Sequence, residues 1–421
     1  MKPDGIYRSE KSGLNEEFVY NGEGTGLNFF PKLLFPGGSD LLAAGFPPSI
    51  AEHVGKCRFY RINVTSHEAT YLAESELFGD FHVEWAEPGK TVLFSRAVNG
   101  LTNIWKLSLQ DRSLTQITFG TGPDFSPMPD PAGKGIYYVN GKSSGFLTAY
   151  HVQSKESTDI VSEDATQPAI SPDGKRVMYL RLPAPQRNEL WVADVDGRNK
   201  LKLATGGFLN TGTWAPDNFH IGFFEKGTGA GDKTYIVGAD GSGLRQLPGP
   251  RSVNSMAWSA DQKSVYMTGE EKAGYVPTVW RVNTDGSNPP EKLVDDCGAV
   301  TDIDPAGQYL LTLGDLTGIH EVSISDRKCI RLLPEKVTNN VTLARDGKSF
   351  LYAVASHGEV TIYRQPWKNG KTIGVPQVAL KVPFAFPFDS GGNAYDFSRD
   401  LSTVVYVRPS GQADLYLLSQ K

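Results

Sequence analysis

The sequence predicts an all-β chain, a β-propeller built from four-stranded antiparallel blades. Three observations predict it. A motif recurs every 40 to 45 residues, Asp-Gly turns punctuate short apolar runs, and six of the seven tryptophans fall at two equivalent places in the repeat.

The motif opens each blade. An apolar or tryptophan residue is followed by a Pro/Asp/Gly turn and then by a short apolar strand. The clearest copies are Ile170-Ser171-Pro172-Asp173-Gly174-Lys175 before Val177-Met178-Tyr179, and Trp214-Ala215-Pro216-Asp217 before His220-Ile221-Gly222-Phe223. Trp258-Ser259-Ala260-Asp261 before Ser264-Val265-Tyr266 is a third, and weaker copies start at Phe35, Trp85, Met128, Ile303, Leu343 and Phe397. From Trp85 to Leu343 the successive offsets are 43, 42, 44, 44, 45 and 40 residues. Proline presets the backbone angle and Asp-Gly closes the turn, so the first and second strands meet as a hairpin.

The third strand follows at a fixed distance, as in Asn103–Leu107, Glu189–Val192, Thr278–Val282 and Asp414–Leu417. A second tight turn comes next, as Asp196-Gly197, Asp240-Gly241 and Asp285-Gly286, and a fourth strand such as Leu201–Leu203 or Arg245–Leu247 completes the unit. Trp85, Trp214 and Trp258 share one place in the first strand, and Trp105, Trp191 and Trp280 share one in the third. Equivalent places in stacked sheets need the same large side chain, so these tryptophans are expected in the core between blades.

Nine units start near residues 28, 80, 122, 165, 209, 253, 298, 338 and 392, and residues 1–421 read as a single propeller domain. Common propellers have four to eight blades. Eight blades are therefore expected, with nine as the alternative that the count supports. The last unit ends after its third strand, and Glu17–Tyr20, within residues 1–22, is expected to supply the missing fourth strand and close the ring.

Composition bounds the partners. Acids and bases are interspersed at a net charge of −5, without the concentrated basic footprint that nucleic acid requires. No run of about 18 apolar residues predicts membrane insertion, and the first residues lack the apolar core of a signal peptide. The chain reads as a monomer, cytoplasmic as written, or periplasmic or otherwise outside the cytoplasm if a leader or anchor has been removed. Cys57, Cys297 and Cys329 are too few for a disulfide scaffold and are expected as small buried hydrophobes.

The sequence matches none of the catalytic or phosphate-binding motifs considered next. No GxSxG elbow occurs, and the GK[ST] endings at Gly141-Lys142-Ser143 and Gly370-Lys371-Thr372 lack the upstream glycine of a phosphate loop. Gly227–Gly231 is glycine-rich but lies between strands. The seven histidines are scattered, and the acidic pairs Glu270-Glu271 and Asp295-Asp296 read as solvated loops. No catalytic residue, metal ligand or cofactor is assigned, and the reading leans against an enzyme.

Binding residues are expected on the rims. The segments entering the first strands carry Asp124, Gln167, Asn210, Asn254, Thr301, Asn340 and Asn393, which form a candidate polar ring at the channel mouth. Such residues also satisfy backbone groups in turns. The loops joining second and third strands vary most: Arg96–Asn103, Asn140–Gly145, Arg181–Asn188, Lys226–Lys233, Glu270–Pro277 and Arg408–Gln412. Their candidate contact residues are Arg96, Lys142, Arg181, Arg187, Lys226 and Arg408.

Ser171–Lys175, the strand carrying Leu190-Trp191-Val192, and the Asp-Gly-Ser turns resemble the PD40, or WD40-like, repeat of TolB-type propellers. Gly122–Asp130 and Asp414–Leu418 are similar to sensor-like propellers attached to some bacterial serine/threonine kinases. The first resemblance implies a non-catalytic platform for a protein or peptide partner, held by the loop rim and central channel. The second implies a sensory module for a small ligand or glycan. A channel-mouth enzyme (a lyase, lactonase or hydrolase) is the remaining alternative, because this fold hosts many roles.

Overall fold

The computed structural model describes residues 5–10, 15–46, 57–75, 82–98, 101–162, 164–184, 187–227, 231–271, 277–314, 318–333, 340–356, 359–368, 371–383 and 394–419. They form strands and turns, with no helix among them. The chain divides into two compact units, Met1–Ser143 with Gly411–Lys421, and Ser144–Ser410.

In the first unit, β1 (Ile6–Arg8) and β2 (Glu17–Tyr20) pair with each other. Two four-stranded meanders follow. One is β3 (Asn28–Leu34), β4 (Asp40–Phe46), β5 (Cys57–Asn63) and β6 (Ala69–Ser75). The other is β7 (Val83–Glu87), β8 (Thr91–Val98), β9 (Leu101–Ser108) and β10 (Leu114–Gln116). Alternation along each strand sends apolar side chains to one face, so Phe35, Leu42 and Phe59 meet Val92, Phe94 and Leu107 in one core. Ile6 and Val19 of the hairpin pack on Phe29, Leu41 and Ile62. Next, β11 (Asp124–Pro129) pairs with the beginning of β12 (Gly135–His151).

The second unit takes the end of β12, whose Leu147–His151 pairs with β13 (Glu156–Val161). Four meanders follow, each in simple sequence order. They are β14 (Ala165–Ile170), β15 (Arg176–Ala184), β16 (Arg187–Asp194) and β17 (Leu201–Gly206); β18 (Leu209–Trp214), β19 (His220–Glu225), β20 (Lys233–Gly238) and β21 (Arg245–Leu247); β22 (Ser252–Trp258), β23 (Ser264–Glu270), β24 (Thr278–Asn283) and β25 (Glu291–Asp295); and β26 (Ala299–Ile303), β27 (Tyr309–Gly314), β28 (Gly318–Ser323) and β29 (Lys328–Leu333). The fifth sheet holds β30 (Val341–Leu343), β31 (Ser349–Ser356), β32 (Glu359–Lys368), the two-residue β33 (Lys371–Thr372) and β34 (Gln377–Pro383). The sixth is composite. It runs from β35 (Tyr395–Phe397) through the beginning of β36 (Thr403–Ser419) to the end of β12 and then β13.

Six apolar cores join these six sheets in a cycle. Leu203 meets Leu209 and Trp214, Phe224 meets Met256, Tyr266 meets Val300, Leu311 meets Phe350, and Ala353 meets Phe397. The sixth core returns to the start, with Leu147 and Val405 packed on Ile170 and Tyr179. Within the second unit these six sheets thus follow one another in a cycle, an arrangement consistent with a β-propeller.

Three expectations are corrected. The expected count of eight blades (or nine) is not what the second unit by itself shows, because its cores join six sheets. Glu17–Tyr20 is not the closing strand, since it pairs with Ile6–Arg8. The outer strands of the last blade come instead from the end of β12 and from β13. The cause lies at Asn140–Gly145 and Arg408–Gln412, expected as loops but found inside the 17-residue strands β12 and β36. Asn140-Gly141 is a good turn dipeptide. Here Asn140 pairs with Asp124 in the β11–β12 ladder, its amide donates to the Asp124 carboxylate, and the Gly141 N–H donates to the Pro123 carbonyl. Those bonds hold the segment extended.

The cysteines are the third correction. Cys297 and Cys329 form a disulfide, and Cys57 alone is a free, buried thiol, pushed up to about 12 by that burial.

Candidate functional site

The six first strands of the propeller, β14, β18, β22, β26, β30 and β35, line one cavity of about 500 Å³. Four of them carry a bulge at the same place. In β18, β22 and β26 the residues Gly212, Asn254 and Thr301 have no partner in the ladder, and in β14 the pair Gln167-Pro168 stands against one residue. A bulge re-aims the extra residue, and Pro168, Gly212, Asn254 and Thr301 all line the cavity. Gly212 is required there: a Cβ would overlap the Gly222 carbonyl and the Met256 sulfur.

Of the expected channel-mouth residues, the cavity gathers three, Asn254, Thr301 and Asn340. Asn254 is exposed and accepts from Lys226 Nζ at 3.3 Å. The Thr301 hydroxyl donates to the Leu311 carbonyl, and the Asn340 amide donates to the Tyr395 carbonyl at 2.6 Å. Gln167 and Asn210 lie beside each other and are joined at 3.4 Å, with Gln167 Oε1 also accepting from the Thr211 N–H. Asp124 belongs to the first unit, where it is buried and accepts from Asn103, Thr118 and Asn140. Asn393 lies outside the described residues.

The rim residues divide differently from the expectation. Arg96 and Arg181 lie on strands β8 and β15, with their guanidinium groups 4.8 and 5.6 Å from the rings of Trp105 and Trp191. Trp105 and Trp191 are thus half-buried under cations, whereas Trp214 and Trp258 are buried. The indole N–H of Trp214 donates to Ala169 and that of Trp258 to Thr213, each bolting one blade to the one before it. Lys226 is nearly buried and paired with Asp232 at 2.9 Å, and it donates to the Val253 carbonyl. Arg187 is exposed at the start of β16, 4.0 Å from Glu189. Arg408 lies in β36, not in a loop, and contacts both carboxylate oxygens of Asp159. Lys142 falls inside β12.

Three charged residues line the cavity, and the sequence reading assigned none of them: Asp302, Asp396 and Arg399. Asp302 and Asp396 hold the same place, one residue before the end of their first strands. Asp302 accepts from Arg399 Nη2 at 3.0 and 2.9 Å, from the Thr342 hydroxyl at 2.7 Å and from the Leu343 N–H at 2.9 Å. Asp396 accepts from the Ile170 and Phe397 N–H groups, each at 2.8 Å, and burial pushes its carboxyl up to about 6. Each carboxylate therefore caps a backbone N–H of the next blade. An aligned set of repeats holds the signal, as an aspartate set into an otherwise apolar first strand. Among the described residues no group of three His, Cys, Asp or Glu side chains is placed to hold a metal ion, and no helix is long and apolar enough to cross a membrane.

The TolB beta propeller domain family, PD40, matches residues 22–218. A putative TolB from Agrobacterium tumefaciens is 17% identical at a TM-score of 0.48, over 64% of this chain and 99% of that one. An oligogalacturonate lyase from Vibrio parahaemolyticus is 14% identical at 0.40, over 80% and 96%. The Pyrococcus horikoshii acylaminoacyl peptidase is 16% identical at 0.36, over 68% of this chain and 44% of the peptidase. Likenesses of this size carry no functional argument.

Proposed function

From a TolB-like PD40 propeller as premise, we propose that the second unit is a non-catalytic platform that takes an extended segment of a protein or peptide partner at the mouth of its cavity. The observation that supports this most is the row of bulged residues facing one concave space. An extended peptide presents alternating N–H and C=O groups, and each must be paired when it leaves water. The Asn254 amide offers both a donor and an acceptor, and its place is set by Lys226 and by the bulge. Because six packed cores hold the row still, little ordering entropy is lost on binding.

The test is retention of peptides from an equimolar hexapeptide pool, read by mass spectrometry. The double variant Asn254→Leu with Thr301→Val is expected to retain at least tenfold less than the parent at an unchanged melting temperature. Equal retention would remove the cavity mouth from the reading, and a parent that retains nothing would end it.

A second reading draws on the walls. Trp214, Trp258, Tyr395 and Phe397 line the same cavity among polar groups, a composition suited to a small polar ligand or glycan. Under that reading a panel of neutral oligosaccharides stabilises the propeller where the peptide pool does not.

A further inference from the structure

Resting on the peptide-binding reading, we infer that the cavity selects a basic side chain of its partner, lysine or arginine, through the carboxylate of Asp396. The charge balance of the lining carries this. Among the described lining residues there are two carboxylates, Asp302 and Asp396, and one cation, Arg399, which leaves one negative charge. Arg399 is committed to Asp302, with both carboxylate oxygens within 3.0 Å of its Nη2. Asp396 forms no ion pair among the described residues. Its partners are the Ile170 and Phe397 N–H groups and, at 3.5 Å, the Asn340 amide.

A carboxylate has about four acceptor positions, so these three bonds leave capacity facing the cavity. The setting strengthens attraction for a cation. Ile170 and Phe397 flank the group with apolar surface, and a charge pair is worth several times more there than in open water. Asn340 donates to Oδ1 of Asp396 while the Ile170 N–H donates to Oδ2, so Asn340 helps to orient the carboxylate and adds no charge. The raised carboxyl of Asp396 reflects the same lack of a partner: burial opposes its charge, and Arg399 acts on it only from a distance.

This makes selection dependent on pH. The other charged groups of the lining are Asp302 and Arg399, which neutralise each other, and no histidine lines the cavity. Arg345 donates only its backbone N–H to the Arg399 carbonyl, while its side chain is exposed toward Asp400. Asp396 is then the group that loses its charge as the pH falls from 7.5 to 5.

The experiment uses the full chain and acetylated, amidated hexapeptide pools with one position fixed as Lys, Arg, Gln or Glu. Retention of the Lys and Arg pools is expected to exceed that of the Glu pool at least tenfold at pH 7.5. That preference should shrink about tenfold at pH 5, where roughly a tenth of a carboxyl near 6 stays ionised. It should disappear in Asp396→Asn, whose carbonyl still accepts one N–H. The pH arm uses the parent protein, so it decides the matter even if the variant folds poorly. Pools retained equally, or a basic preference that survives both pH 5 and Asp396→Asn, overturn the assignment of Asp396 while leaving peptide binding intact. Retention of no pool overturns the peptide reading and this inference with it.

Discussion

Replacing Asp302 by alanine tests whether carboxylate clasps hold neighbouring blades together. The side chain is 8% exposed and bridges three blades, bonding Thr342 and Leu343 of the fifth and Arg399 of the sixth. Truncation leaves the Leu343 N–H buried without a partner, which costs about 1–3 kcal/mol. The lost ion pair adds less. Arg399 is 38% exposed and can turn to water, so solvent screening limits that share to about 1 kcal/mol. The expected cost is about 2–4 kcal/mol, most of it local to β30. Hydrogen exchange reads it directly, because the Leu343 N–H is bonded to Asp302 rather than to the β30–β31 ladder. A loss of about 2 kcal/mol speeds exchange of that amide about 30-fold. Asp302→Asn keeps an acceptor and loses only the charge, so it should cost about 1 kcal/mol. Unchanged exchange at Leu343 in Asp302→Ala, or equal effects of the two variants, would refute the clasp.

Other outcomes follow from the same structure. The disulfide Cys297–Cys329 spans 32 residues, and chain entropy alone makes its loss in Cys329→Ser worth about 3.7 kcal/mol; a melting temperature that ignores both this change and added reductant would contradict it. Lys226→Met strands the buried Asp232 carboxylate at a cost of about 3 kcal/mol, and adding Asp232→Asn should recover more than half of that in urea unfolding. Stability should peak near pH 4 and fall from there toward pH 6. On the acid side, the Ser259 hydroxyl and Lys263 N–H hold Asp261 below the usual carboxylate value, and Ser287 and Ser242 act likewise on Asp285 and Asp240. Their contribution is present above 3.8 and is lost as pH falls through the lower native values. On the other side, Asp396 titrates near 6 when folded, so stability falls as pH rises from 3.8 through 6. Denaturant midpoints across pH 3–8 check both limbs, and Asp396→Asn should flatten only the upper one.

Local chemistry made most of the strands legible. Asp217 and Asp261 accept the N–H groups two residues on, as Pro/Asp turns require, and the strands begin and end around them. The polar row was legible in part because Asn254, Thr301 and Asn340 occupy equivalent places; that two of them are bulges was not, since a bulge depends on the partner strand. Asp302 and Asp396 are not legible because each is the penultimate residue of a short first strand, where a lone aspartate reads as the start of the following turn. Arg96 and Arg181 read as rim contacts because nothing in a linear sequence shows a guanidinium lying over a tryptophan of the neighbouring strand. The odd cysteine count hid one pair and one single thiol.

Ring closure was illegible for a reason specific to repeats. Every unit carries strands of nearly the same pattern, so the local signals say what a strand is but not which copy it joins. The end of β12 would satisfy its hydrogen bonds equally in a hairpin with its own beginning or beside β36. Side chains far apart in sequence decide between them: Leu147 and Ala149 of β12 and Val405 of β36 share one core with Ile170, Val177 and Tyr179. That core exists only when the sixth blade is composite. The Val152 N–H bonds the Ser402 carbonyl across 250 residues, and the Ile170 N–H bonds Asp396 across 226. The closing blade thus also places Asp396 against the first blade, so the pairing that the sequence leaves open is the one that builds the cavity wall.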